Sequence, residues 1–388
     1  MAQGKKYKDH FLLDPEIHYL NHGSFGACPE PVFEEYVRLE RLLEREPVIF
    51  LDREAGPAMQ AARQALADFV GCKSEDVVYF PNPTTAVNMV ARSLDLQPGD
   101  EILTTNHEYG AMDRTWSFIS EKSGALYRRH PVSLPVTTHQ AFVERFWSGV
   151  TDQTKIIFLS HITSPTALCF PVVEICQRSR DAGILTVIDG AHAPGQIDLN
   201  LADIQPDIYT GACHKWLCAP KGSAFLYASP EVQAWLEPLV VSWGYQAEAP
   251  SGSKFIDYHE WQGTRDISAF LSVPAAIEFQ KKHDWAAMRA DCRELVLSAR
   301  DRLHNLTGLE KVCPDDGEWL GQMAAIPLPE LDEKRLKQRL FDEFRVEVPL
   351  YRWEGRPFLR VSVQAYNTPE DIDALLSALS TLLPQEVI

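Results

Sequence analysis

A chain of 388 residues with 45% hydrophobic and 23% charged side chains has material for one large folding unit and a smaller one around an ample core, which excludes a fibrous or disordered protein. Its 37 basic and 54 acidic residues leave a formal charge of −17, which argues against nucleic acid or an anionic membrane as partner. Eight cysteines (28, 72, 169, 176, 213, 218, 292, 313) form no Cys-x-x-Cys pair and no apolar stretch reaches the roughly 20 residues that span a bilayer, so the expectation is a reduced, cytoplasmic protein without disulfides, metal or membrane span.

The polar start, residues 1–8, carries no targeting pattern, and residues 1–30 are too few to fold alone, so they are expected to pack near a functional site or against a partner. From about 60 to 230, short apolar runs at 77–80, 101–104, 126–128, 155–160, 184–188, 208–210 and 223–227 alternate with helix-period segments. One such segment is a helix over 85–94 with Val87, Val90, Ala91 and Leu94 on one face. This alternation predicts an α/β fold whose seven-stranded, mainly parallel sheet is covered on both faces. Beyond Pro250 the texture changes to a long helical region at 269–306, strands near 323–327 and 358–363, and a last helix over 369–383 capped by Thr368, with Pro369 in its first turn and Asp371 completing a capping box. The expected division is an N-terminal segment 1–30, a large unit 31–262 and a smaller α+β unit 263–388.

Chemistry-bearing residues cluster after the predicted strands, where open α/β sheets place their ligands. Pro81-Asn82-Pro83-Thr84-Thr85-Ala86 leads from a strand into a helix; its hydroxyls and free amides suit a phosphate, or Thr serves only as a helix cap. Thr104 to Gly110 offers His107 and Tyr109 as rings that could lie on a flat ligand, and Ser160 to Pro165 adds hydroxyls and an imidazole to the same rim. Asp189 ends the run 184–188, and Lys215 stands in Cys213-His214-Lys215-Trp216 after the next. Separately, the lysine reads as a solvated charge and the aspartate as a cap. At the ends of neighbouring strands they are the two groups that pyridoxal phosphate chemistry requires: a lysine to hold the cofactor as a Schiff base, and a carboxylate to keep the pyridine nitrogen protonated. No Gly-x-Gly-x-x-Gly joins a strand to a helix, which removes a dinucleotide enzyme from consideration.

Together with Tyr19 to Gly26, Gly263-Thr264-Arg265-Asp266 and Arg360 to Thr368, these segments resemble the class V branch of the fold type I pyridoxal phosphate enzymes, and within it the isopenicillin N epimerase-like group. The resemblance implies that Lys215 binds pyridoxal 5'-phosphate and moves the α-proton, that Asp189 pairs with the ring nitrogen, and that His192 bonds the phenolic oxygen, with Ser164 a second candidate. Thr84, Thr85 and His214 would hold the phosphate, and Tyr109, with His107 as alternative, would stack on the ring. Arg360 would clamp the α-carboxylate of an amino-acid substrate, with Asn21 and Gly23 closing over it and Arg53 and Arg265 as further anion contacts. Gly263-Thr264 would reach the neighbouring subunit's phosphate, implying a homodimer.

Within such a family, amino-acid epimerase (racemase), C–S β-lyase and aminotransferase activities share loss of the α-proton and differ in the fate of the carbanion it leaves. A persulfide-forming desulfurase also needs a cysteine shortly before the carboxylate-binding arginine, and residues 346–359 contain none. Epimerisation needs a second acid opposite Lys215, for which Tyr109, His107 and His22 are the candidates. A cofactor-binding fold without chemistry is the remaining alternative.

Overall fold

In the computed structural model, which describes residues 7–315 and 317–386, the seven apolar runs pair into one sheet. The strands are β1 (Val77–Phe80), β2 (Glu101–Thr105), β3 (Leu126–His130), β4 (Thr154–Ser160), β5 (Leu185–Asp189), β6 (Ile208–Ala212) and β7 (Ala224–Ala228), in spatial order β1-β7-β6-β5-β4-β2-β3. All neighbours are parallel except β7, which runs against both β1 and β6. The link from β6 to β7 therefore turns straight back without a crossover helix. Lys215 stands on that link.

Period-two alternation divides the strand side chains between two cores. Val77, Tyr79, Ile157 and Leu159 join the larger apolar cluster, whereas Val78, Phe80, Ile156 and Phe158 pack on the opposite face against the helices Pro83–Ser93 and Gly110–Ser123. Burial on both faces is why these runs read as continuous apolar stretches.

The predicted helical region at 269–306 is broken into Ser268–Leu271, Val273–Lys282 and Trp285–Thr307. Pro274, within the first turn of the second helix, has no N–H to continue the first, and Asp284 takes a left-handed conformation (φ 48°) that ends the second. A smaller antiparallel sheet follows, built from β8 (Met323–Pro327), β9 (Leu350–Trp353) and β10 (Arg356–Ser362) in the order β9-β10-β8. The last helix, Pro369–Glu386, begins with the Thr368 N–H donating to Asp371 Oδ2 at 2.9 Å, one half of the expected capping box.

Of the N-terminal segment, residues 1–6 lie outside the described residues. His18–Tyr19 pairs in parallel with Val346–Glu347, and Ser362 N–H donates to Leu20 O at 2.9 Å, so the segment extends the small-sheet region. It then turns back to the large sheet: Gly26 has φ 70°, and a Cβ there would lie 2.1 Å from His214 O. The segment thus straps the two regions together beside Lys215.

Candidate active site

Ser160 and Asp189 stand side by side at the carboxyl ends of β4 and β5, with Thr210 of β6 beside them. The loop after Asp189 nests against β6 and the Lys215 link because two glycines permit the approach. A Cβ on Gly190 would lie 2.2 Å from Tyr209 Oη, and one on Gly195 (φ 85°) would lie 2.4 Å from Trp216 O. The result is a cavity of about 170 Å³ with Lys215, Asp189 and His192 in its wall. A larger groove of about 980 Å³, by Arg63, Glu260 and Trp243, lacks this chemistry, since its buried arginine and half-buried glutamate already pair with each other.

The accessible surface of Lys215 opens into the cavity; burial, then the positive charge of Arg360, lowers its amine from its usual range to about 8, against a smaller opposing pull from Asp189. Nζ lies 3.1 Å from His192 Nε2. Asp189 is buried, which raises its carboxyl, and Oδ1 accepts the Ala191 N–H at 3.0 Å. Among the described residues no ion pair joins Asp189 to Lys215, so an acid and an amine are held apart in one wall. That is a costly arrangement unless something is meant to lie between them.

At the head of Pro83–Ser93 the structure revises the cap. Asn82 is the cap residue, its Oδ1 accepting the Thr85 N–H at 2.8 Å and the Thr85 hydroxyl at 3.0 Å. Thr84 lines the cavity directly, beside Asn82 and His214. His214 Nδ1–H donates to Ser223 O at 2.8 Å, and burial lowers the ring to about 4; among the described residues Nε2 has no hydrogen-bond partner.

Tyr109 lines the cavity, half of its surface exposed (49%). His107 does not: it is fully buried, with Nε2 donating to Val132 O (2.8 Å), Nδ1 bonded to Thr166 Oγ1 (2.7 Å), and its ring packed on Trp353. The ring-stacking alternative assigned to His107 is therefore corrected to a wall-supporting role. His161, from the loop expected to bring an imidazole to the rim, points instead to Tyr209 Oη at 2.8 Å. His22 is buried behind Lys215, bonded to Tyr366 Oη (2.9 Å) and Lys215 O (3.0 Å), and burial holds it down to about 3.

Arg360, buried on β10, lies one layer behind the lining. Nη1 donates to Ser164 O (2.6 Å) and Oγ (3.1 Å), Nη2 donates to Ser24 Oγ (3.2 Å), and Nε is buried without a partner. Ser24 and Ser164 line the cavity, and the Ser24 hydroxyl donates to Asn21 Oδ1. Asn21 itself donates to Glu347 Oε1 at 2.9 Å, so it acts on the cavity through Ser24. Gly23 is packed against Met323 and Ser362, where a Cβ would lie 2.7 Å from sulfur, and does not line the cavity. Gly263 (φ 104°) and exposed Thr264 lie outside it too, as do exposed Arg53 and half-buried Arg265, whose guanidinium lies 4.4 Å from the centre of the Phe270 ring.

A family model described as aminotransferase class-V matches residues 34–375. The chain belongs to the class-V aminotransferase family. It is 37% identical to the isopenicillin N epimerase of Amycolatopsis lactamdurans, over 97% of each chain, and 27% identical to a probable chloroplastic L-cysteine desulfhydrase of Arabidopsis thaliana, over 95% of this chain and 84% of that one. Its fold is that of the cysteine desulfurase CsdA of Escherichia coli, with a TM-score of 0.83, 21% identity and 99% of both chains covered. It is a pyridoxal phosphate enzyme of fold type I.

The side chains of this class-V member fit that cofactor. The unpaired Asp189 and Lys215 suit a ring nitrogen and an aldehyde, and Thr84 with the helix N-terminus suits a phosphate. Several functional positions carried no separate signal in the sequence. Ser24 and Phe25 reach the wall from the N-terminal strap; Ser160, whose hydroxyl the sequence does place at this rim, lines it as the register partner of Asp189. Behind Ser160, Glu108 is buried and accepts from Ser160 N (2.9 Å), Ser160 Oγ (2.6 Å) and Thr105 Oγ1 (2.7 Å); burial outweighs these bonds and raises its carboxyl to about 7. Periodicity could only have marked Glu108 as a loop residue beside Tyr109.

Proposed function

We propose that this enzyme is an amino-acid epimerase of the isopenicillin N epimerase type, acting on an α-amino acid by moving the α-proton between Lys215 and Tyr109. The observation that carries the reading is that Lys215 and Tyr109 line one cavity while His107 and His22, the other candidate acids, are buried in hydrogen bonds away from it. Likeness to epimerases across almost the whole chain supports it.

Arg360 binds the substrate α-carboxylate with its unpartnered Nε and with Nη2; the 3.2 Å contact to Ser24 is the one the carboxylate displaces. Asp189, as carboxylate, holds a proton at the ring nitrogen, and Thr84 and His214 hold the phosphate. Bound pyridoxal phosphate supplies an electron sink for the carbon that loses its proton. Lys215, uncharged above about pH 8, accepts that proton from one side, and Tyr109 donates one from the other, so the centre is returned inverted. A homodimer, with Thr264 serving the neighbouring subunit's phosphate, completes the proposal.

A C–S β-lyase is the second reading, favoured by the L-cysteine desulfhydrase relatives. Among the described residues no cysteine lines the cavity, so either outcome proceeds without a protein thiol. The deciding experiment incubates holoenzyme with L- and D-amino acids and cysteine conjugates in deuterated water. Deuterium at the α-position of an inverted product supports the epimerase; pyruvate or sulfide release without inversion overturns it in favour of the lyase.

A further inference from the structure

Trp216 is fully buried, where an indole N–H costs free energy unless it finds an acceptor. It donates to His192 Nδ1 at 3.2 Å. The other ring nitrogen, Nε2, faces Lys215 Nζ at 3.1 Å. Burial, then the charges of Lys215 and Arg360 and the nearby rings of His214 and His22, keeps His192 well below the usual histidine range, so the ring is neutral and carries a single proton. A nitrogen that accepts from indole cannot hold that proton. It must sit on Nε2, aimed at the lysine.

We propose that Trp216 is a positioning residue that locks His192 in its Nε2–H tautomer, so that the imidazole offers the Lys215 amine a donor and never an acceptor. An ammonium group gains nothing from such a neighbour, whereas a neutral amine accepts its hydrogen bond. Of the other charged groups acting on Lys215, Arg360 works in the same direction and Asp189 against it. The neutral amine is the form that attacks an aldehyde: its nitrogen adds to the carbonyl carbon, and the carbonyl oxygen leaves as water with both amine protons. His192 Nε2–H is then released from Lys215 and free for an oxygen acceptor on the incoming group. This inference rests on the pyridoxal phosphate assignment and is independent of whether the outcome is epimerisation or elimination.

Trp216→Phe keeps the aromatic packing and removes the N–H. His192 can then carry its proton on Nδ1 and turn an acceptor toward Lys215, which favours the ammonium. The rate at which apoprotein takes up pyridoxal phosphate, followed by its visible band across pH, should shift its midpoint upward by about one unit, a roughly tenfold loss of rate below the midpoint that disappears at high pH. In a His192→Leu background, whose side chain offers neither donor nor acceptor, the same substitution should leave the midpoint in place. Nitrogen NMR of histidine-labelled apoprotein should find His192 protonated on Nε2 in the wild type and redistributed in Trp216→Phe. An unmoved midpoint in Trp216→Phe, or an equal shift in the His192→Leu background, overturns the proposal. If Trp216→Phe does not fold, the wild-type spectrum decides alone, since a proton on Nδ1 overturns it. Failure of the wild type to take up pyridoxal phosphate at any pH would reject the cofactor assignment, and the NMR would still report the tautomer.

Discussion

The charges at the centre of this molecule are held in a state that only a ligand resolves. Lys215 is lowered to about 8 by burial and by Arg360, and this has two consequences of known sign. Between about 8 and the ordinary lysine value of 10.5 the unfolded chain binds a proton that the folded apoprotein does not, so this group makes the apoprotein more stable as pH rises through that window and least stable below it. Uptake of pyridoxal phosphate by the apoprotein should follow the neutral amine, rising with pH and levelling above about 8; a flat profile from about pH 6 to 10 would remove the depressed lysine from the account. Arg360 tests the substrate side. Its Nη1 is fixed by Ser164, leaving Nε, and Nη2 once Ser24 gives way, for a carboxylate, and lysine offers a point charge in place of that plane. Arg360→Lys should raise KM for the amino acid by about 10- to 150-fold, corresponding to about 1.5–3 kcal/mol for a charge-assisted hydrogen bond, while cofactor affinity stays within about twofold. Equal losses of both would place Arg360 in the cofactor site.

At the scale of elements, the wall is built where six chain segments meet: the loops after β1 and β2, the ends of β4 and β5, the β6–β7 link and the N-terminal strap. The strap depends on Gly26, whose φ of 70° and contact with His214 O admit no side chain. Gly26→Ala should cost more than about 1 kcal/mol of stability and, because the displaced atom belongs to the residue before Lys215, should lower cofactor content more than other tight-glycine variants of equal melting temperature, such as Gly71→Ala. Normal cofactor binding would show that the strap is only a structural tie. Most of this region is legible in the sequence. Strands buried on both faces announce themselves as apolar runs, and β1, β2, β3 and β8 start at the residues those runs predict. Asp189 and Lys215 are legible because few chemistries need that pair at adjoining strand ends. The illegible features depend on pairing across the chain: which residue faces Asp189 across β4 and β5, that Asn82 outcompetes threonine as cap, and that both nitrogens of His107 find partners 25 and 59 residues away. A ring in a loop has the same sequence signature whether it faces the cavity or the core. Only the register of distant segments separates Tyr109 from His107.

At the scale of the whole molecule, one expected contributor to the site is in the wrong place for a single chain. Thr264 follows Gly263 (φ 104°), is exposed, and lies outside the cavity that holds Thr84 and His214. In the preceding loop, Val241 and Trp243 expose 67% and 86% of their surface, an apolar display that a water-facing loop has no reason to carry and that a second copy would cover. If Thr264 serves the neighbouring subunit, each site is assembled from Lys215 of one chain and Thr264 of the other. Thr264→Ala homodimers should then bind pyridoxal phosphate weakly, and Lys215→Ala homodimers should fold without turnover. Co-folding the two variants should restore activity, because the chain that keeps Lys215 receives an intact Thr264 from its partner; the recovered rate should approach one active site per mixed dimer. Threonine acting within its own chain predicts the opposite, since every mixed dimer would hold one site lacking Lys215 and one lacking Thr264. The two arrangements therefore separate on a single assay of the mixture, whichever reaction the enzyme performs.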